Sequence, residues 1–489
     1  MATNYKTPGV YIKKKNAFPS SAVAVETAVP VFIGYTEIAT TNGKSLVDKP
    51  TRIASFAEYT QMFGEGFKAK FTVEASKDPL ISISQTVKIK HKNITYMYNS
   101  IRLFYSNGGS TCYILSVGTY KDSEELEIKA SDFNKTSGVL DLLLKEEEPT
   151  LVVMPDAIAL GEECYTSIYT EVLNHCKEVK NRFGIFDLLK QAETGTTEEV
   201  VDLFRDKIGV NFLNYGAAYY PWLKTTIVQP SELDFRNIDE AVDLAALLPE
   251  NDVKEVVEKF KALAKPNEND RRNYDLELKA TSLTYVQIMI EIKNYLNELP
   301  PSGAIAGIYT LVDTSRGVWK APANVSLSNV SAPSVNISSK TQENLNVDAI
   351  SGKSINVIRS FPRMGTLVWG ARTLDGNSPD WSYINVRRTL IMIEQSLKLA
   401  SRGYVFEPND ANTWITVKSM FNNFLTNLWK QGALAGDSPV EAFDVQIGLG
   451  ATMTSNDILD GYMLITVKIA IVRPAEFIVI TFQQQMQQS

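Results

Sequence analysis

From Val386 the apolar side chains recur at Leu390, Ile393, Leu397 and Ala400, offsets that place all five on one face of a helix. The spacing predicts a second helix after it. Trp414, Val417, Phe421, Phe424, Leu425 and Leu428 repeat the pattern, Asn409, Asp410 or Asn412 can cap its start, and Gly432 can take the left-handed position past its end. The period then shifts from that of a helix to that of a strand: Ile465, Val467, Ile469 and Ile471 alternate with Leu464, Thr466, Lys468 and Ala470, which predicts a strand with one buried face. Arg473-Pro474 breaks that ladder. The stretch that follows, Phe477, Ile478, Val479, Ile480, Thr481 and Phe482, is uncharged and apolar on both faces. Such a strand needs a partner, either in the centre of the protein's own sheet or on another molecule.

Earlier in the chain, Val10 and Ile12 flank Tyr11 in a short alternating segment, TPGVYI, followed by the polar run from Lys13 to Ser21. VPVFIGY from Val29 and NGGSTCYILSVG from Asn107 read as buried strands, the second entered through a Gly-Gly turn. Between them, 67–99 is polar and irregular and reads as an insertion. LVVMPDA from Leu151, helical spacing over 165–180, FGIFDLL and a charged helix near 198–207 alternate strand with helix. That alternation predicts an α/β layer with parallel strands. The stretch 231–298 is charged, helix-patterned and interrupted at Pro266-Asn267, so it reads as a surface insertion. The Ser- and Asn-rich stretch 323–354 reads as a linker or loose crossing between domains.

Composition narrows the function. The 489 residues suit two to four domains, and 44% apolar with 21% charged content is ordinary for a globular protein. A formal net charge of -7 offers no basic footprint for nucleic acid or an anionic membrane. The first residues lack the apolar core of a secretory signal, and no run is long enough to span a bilayer, so a chain made in the cytoplasm is expected. The 3 cysteines, Cys112, Cys164 and Cys176, have neither disulfide-framework nor zinc spacing and read as core residues.

The segments RSFPRMGTLVWGARTL, WSYINVRRTLIMIEQSL, YVFEPNDANTW, FLTNLWKQGALAG, SPVEAFDVQIG and RPAEFIVITF stand in an order and spacing that resemble the C-terminal domain of contractile tail sheath proteins. Those proteins jacket phage tails, R-type pyocins and extracellular contractile injection systems. TPGVYI resembles the family's opening. GAAYYPWLKT and PPSGAIAGIYTLVDTSRGVWKAPAN resemble its central segment, called subtilisin-like for its fold. The resemblance spans the start, the middle and the C-terminal third, with both insertions left out. One departure is Gln446-Ile447-Gly448, where many relatives carry a Cys-Asp pair.

The resemblance implies a multidomain α/β plus α+β protein. Its expected parts are an N-terminal arm at 1–21, a subtilisin-like outer α/β region at 22–353 with insertions near 67–99 and 231–298, an inner α+β sheath domain at 354–472, and a C-terminal arm at 473–489. It also implies a mechanical function: many copies form a helical jacket around an inner tube and contract to drive the tube through a target envelope. The partners are then the chain itself, with paralogous sheath proteins, the tube protein, and baseplate and terminal cap proteins, in a particle assembled in the cytoplasm and released from it. No nucleic acid, membrane insertion, cofactor or metal is expected. Inter-subunit strand exchange would use Val10, Tyr11 and Ile12 at one end and Phe477, Ile478, Val479, Ile480, Thr481 and Phe482 at the other. Ile465, Val467, Ile469 and Ile471 would belong to the receiving sheet. The helix over 413–432 contains no Asp or Glu and presents Lys418, Asn422 and Lys430; in the family a helix of this domain faces the tube, so these residues are expected to meet acidic groups there.

The alternatives are a hydrolase using the α/β domain and another tail or baseplate component. A serine protease needs a histidine held by an aspartate against a serine. Here the only histidines are His91, in KHKN, and His175, in NHCK; Asp313-Thr314-Ser315 follows both, and no GTS motif carries a serine. Gly43-Lys44-Ser45 and Gly352-Lys353-Ser354 lack the first glycine of a phosphate loop, and Gly448-Leu449-Gly450 lacks the third glycine of a dinucleotide turn. A non-enzymatic chain is expected.

Overall fold

The computed structural model describes residues 22–75, 85–89, 94–121, 126–134, 138–250 and 252–479. They fall into two compact units, one within Glu26–Arg388 and Arg473–Ser489, the other within Met1–Val25 and Thr389–Val472.

Among the described residues, the larger unit is built on a nine-stranded sheet. Its order is Val325–Ser326, Gly365–Val368, Ile355–Phe361, Gly216–Tyr220, Phe183–Asp187, Leu151–Val153, Pro30–Thr36, Cys112–Thr119 and Thr51–Ile53. From Ile355–Phe361 to Cys112–Thr119 every neighbouring pair is parallel, while the outer pairs are antiparallel. Parallel strands are covered on both faces, which is why VPVFIGY and FGIFD read as continuous apolar runs and are buried along their whole length.

Two buried carboxylates tie strands to helices. Asp156 accepts from the backbone N–H of Tyr35 at 2.7 Å, of Tyr96 at 2.6 Å and of Met97 at 3.0 Å, and from Thr95 Oγ1 at 2.8 Å, so it sits at the start of helix Met97–Ser106. Asp187, at the end of its strand, accepts from the N–H of Ser302 at 2.8 Å, where helix Ser302–Arg316 begins. These two helices pack together through glycine: a Cβ on Gly303 would lie 2.5 Å from the carbonyl oxygen of Ser100, and one on Gly307 2.6 Å from that of Phe104. Only residues without a side chain allow the backbones so close.

Three sequence expectations are corrected here. The first insertion does not run to residue 99, because Met97, Ile101 and Phe104 belong to a core helix and are fully buried. Nor is it polar throughout. Phe71 and Val73, on the first strand of the hairpin Phe71–Ala75/Gln85–Ile89, are buried with Ile238, Val257, Tyr274, Leu278 and Ile292 in a second core. The N–H of Asp239 donates to the Phe71 carbonyl at 2.8 Å. The two insertions, distant in sequence, thus fold as one body with helices Val253–Lys261, Glu268–Thr281 and Leu283–Leu296, because a lone hairpin cannot bury enough surface to be stable.

Second, 323–354 is no interdomain linker: Val325–Ser326 joins the main sheet, Val330–Pro333 pairs with Leu223–Thr225, and Ser339–Asn346 is helical. Its polar composition suits short edge strands. Third, Ile355–Phe361 and Gly365–Val368 lie in the main sheet, so the units part between Arg388 and Thr389, inside helix Ile384–Ser401, and not at residue 354.

The smaller unit contains the rest of that helix, helix Ala411–Lys430 and the antiparallel hairpin Phe443–Ile447/Ile465–Ile469. Asp410 is the cap among the candidates. Its Oδ1 accepts from the N–H of Asn412 at 3.0 Å and of Thr413 at 2.9 Å, and Gly432 is left-handed beyond the helix end.

Candidate assembly surfaces

The hairpin pairs Phe443 with Ile469, Val445 with Val467 and Ile447 with Ile465. Helix Ala411–Lys430 packs on the strand Phe443–Ile447, burying Val445. Ile465, Val467 and Ile469 share the predicted face, but that face is half-buried and not fully covered. Ile471 lies past the strand and bridges Leu434, with the N–H of Ala435 donating to the Ala470 carbonyl at 2.8 Å. Among the described residues this sheet has two strands, too few to be stable unsupported. Neither outer edge of this hairpin carries a further strand among the described residues.

Phe477, Ile478 and Val479 are 70%, 79% and 88% exposed and belong to no strand, so over these residues the own-sheet alternative does not hold. Ile480, Thr481 and Phe482, and likewise Val10, Tyr11 and Ile12, lie outside the described residues. Just before the arm's apolar run, Glu476 is half-buried and bonded to Arg372, Asn346 and Tyr383. Sequence reasoning passed over it. The available signal was a single acid in the otherwise uncharged stretch PAEFIVI.

On helix Ala411–Lys430, Lys418 and Lys430 are exposed and Asn422 is half-buried. The exposed side is completed by Asn412, Ile415, Thr416, Ser419, Asn423 and Asn427, which gives a polar, weakly cationic surface free of carboxylates. In the loop preceding it, Phe406 is fully exposed with φ of 73°, a left-handed conformation that is costly for an aromatic residue and that the sequence pattern did not signal.

The residues weighed for catalysis are engaged in structure. His175 Nε2 lies 2.5 Å from Arg182 Nη1, and Asp313 is ion-paired with Arg388 at 2.6 Å, both partners buried. Ser315 Oγ donates to the Leu311 carbonyl at 2.6 Å. Lys353 donates to the carbonyl of Arg205, and the turn holding it leads into a strand, whereas a phosphate loop leads into a helix. His91 lies outside the described residues. Burial pushes the thiols of Cys112 and Cys176 up to about 12, leaving them as unreactive core groups. Among the described residues, no three His, Cys, Asp or Glu side chains converge as metal ligands, and no helix is long and apolar enough to cross a membrane.

The described residues thus combine a two-stranded hairpin with an exposed apolar run at 477–479, features of a protein that builds structure. Residues 377–485 match the family described as the phage tail sheath C-terminal domain. The tail sheath protein of Vibrio phage KVP40 is 26% identical over 136 residues, a match spanning 28% of this chain and 20% of that protein. Over nearly the full length, the fold is similar to the sheath complex of the extracellular contractile injection system PVC in its contracted state, with TM-score 0.62, 28% identity and 99% of each chain covered. It is also similar to the contracted helical sheath of the anti-feeding prophage, AFP, with TM-score 0.61 and 30% identity over 98% of this chain and 100% of that one. The chain belongs to the contractile tail sheath proteins.

Proposed function

We propose that copies of this chain polymerise as a helical jacket around an inner tube, joined by exchanged arms, and shorten to drive the tube through a target envelope. The observation that carries this reading is the two-stranded hairpin with a half-buried face in a chain whose own apolar run, from Phe477, stands exposed. A lent strand of six residues gains a handful of backbone hydrogen bonds at about 0.5–1.5 kcal/mol net each, besides burial of its side chains. A few kcal/mol per arm suffices for a repeated contact. Because lending is head-to-tail and does not close on itself, it yields a filament whose layers rearrange together. Val10, Tyr11 and Ile12 would be the second lent segment.

In this reading the larger unit is the subtilisin-like outer layer and the joined insertions decorate the outside of the cylinder. Helix Ala411–Lys430 faces the tube, where Lys418, Asn422 and Lys430 meet acidic groups through contacts of roughly 0.2–1 kcal/mol each, weak enough to break together. The chain's work is mechanical and not enzymatic, and its further partners are paralogous sheath proteins, the baseplate and the terminal cap of a particle assembled in the cytoplasm. The test is a truncation ending at Arg473, viewed by electron microscopy: loss of wide, ridged, hollow cylinders is expected, and normal assembly and contraction would remove strand exchange through the C-terminus. In parallel, Lys418→Glu with Lys430→Glu should leave the sheath able to polymerise alone but lower the yield of sheathed tubes. An unchanged yield would remove the electrostatic contact.

A further inference from the structure

Within the described part of the arm, Arg473 faces Asp380 at 3.9 Å, and Glu476 is docked far more closely. Four donors converge on the Glu476 carboxylate: Arg372 Nη2 at 2.7 Å, Arg372 Nε at 3.1 Å, Tyr383 Oη at 2.9 Å and Asn346 Nδ2 at 2.6 Å. Arg372 is fixed in turn. Its Nη1 donates to the Gly376 carbonyl at 2.9 Å, its N–H donates to Asn356 Oδ1 at 2.8 Å, and its carbonyl accepts from Asn356 Nδ2 at 2.7 Å. Asn356 is fully buried in strand Ile355–Phe361, whose neighbour Gly216–Tyr220 supplies the Ala218 carbonyl to the same amide at 3.2 Å. An unbroken series of polar contacts thus runs from the arm to the parallel core of the main sheet. Burial of Glu476 works to raise its carboxyl, yet the bonds from Arg372 and Asn346 and the charge of Arg372 hold it below the ordinary range. The residue after it, Phe477, is the first of the exposed apolar run.

We propose that Glu476 is the positioning residue of the C-terminal arm: docked on Arg372, it fixes where the lent strand leaves its own subunit and passes tension on that strand into the main sheet through Asn356. This rests on the reading of 477–482 as a lent strand. Without the dock, the residues after Val472 must be ordered each time the strand pairs, which opposes assembly. With it, part of that ordering is complete in the free subunit. Tension also bypasses the two-stranded hairpin, which is the weaker sheet.

The test uses the full-length chain carrying Glu476→Gln, which keeps the shape and removes the charge, and Tyr383→Phe, which removes a single donor. The critical concentration for cylinder formation is measured by sedimentation and electron microscopy, beside thermal melting of the unassembled subunit. Glu476→Gln should raise the critical concentration about tenfold, Tyr383→Phe by less, with the melting temperature of the subunit unchanged. Combining Glu476→Gln with Arg372→Gln should add little to the first change, because both remove one contact. If the truncation ending at Arg473 abolishes cylinders while Glu476→Gln polymerises at the wild-type concentration, the dock has no role and strand lending stands. Parallel loss of melting temperature and assembly would make Glu476 a fold-stabilising group only, and overturn the proposal. A truncated chain that still assembles would instead remove the underlying reading.

Discussion

Acid should loosen the larger unit through His175. The imidazole is 5% exposed and its Nε2 faces Arg182 Nη1, a permanent donor, so Nε2 must accept and the ring must be neutral. Arg182 cannot turn away, since Nε donates to the Pro149 carbonyl at 3.0 Å and Nη2 to that of Leu143 at 2.7 Å and to that of Glu146. Burial, and then the Arg182 charge, lower the histidine from 6.5 to about 4. Because the folded value is the depressed one, the contribution is complete above 6.5 and is lost as pH falls toward 4. Between those two values the unfolded chain takes up the proton and the folded one does not, which removes about 2 kcal/mol at about pH 5 and about 3 kcal/mol at about pH 4. Urea unfolding of the unassembled subunit, wild type against His175→Gln, at about pH 7.5 and about pH 5 measures this. Taking the difference matters because Asp156 and Asp187, pushed by burial up to about 6 and about 7, act with the opposite sign and are common to both chains. The wild-type advantage over His175→Gln should shrink by about 2 kcal/mol on acidification. An advantage constant to within about 0.5 kcal/mol would refute the assigned tautomer and burial.

Asp313→Ala leaves Arg388 as a buried, uncompensated cation where the pair now closes at 2.6 Å and 3.0 Å. It should destabilise the subunit by about 3–5 kcal/mol, read as a large fall in melting temperature; an unchanged melting temperature would argue against a structural role for this aspartate. Gly307→Val drives a side chain into the Phe104 carbonyl, which a Cβ alone would approach to 2.6 Å. A loss of about 1–3 kcal/mol in urea unfolding is expected, and wild-type stability would show that the two helices can separate without cost.

Sequence periodicity determined the local elements: the helix stripes at Val386–Leu397 and Val417–Leu428, the alternation from Ile465, and the buried parallel strands at Pro30–Thr36 and Phe183–Asp187. Those signals are legible because the spacing of apolar residues is imposed by the geometry of a single helix or strand, whatever surrounds it. The order of the C-terminal motifs was equally legible as a family resemblance. Only the tertiary structure decided which distant segments share a core. Phe71 and Ile238 bridge two insertions that read as separate polar surfaces, since neither pattern reveals that the other supplies the opposite wall. The same holds for the unit boundary inside helix Ile384–Ser401, where a continuous stripe carries no mark at Arg388, and for Glu476, whose role comes from Arg372, Asn346 and Tyr383, brought to it by the fold and not by spacing. Contacts of that kind depend on chain closure over many residues, and a one-dimensional pattern records only what neighbouring residues do.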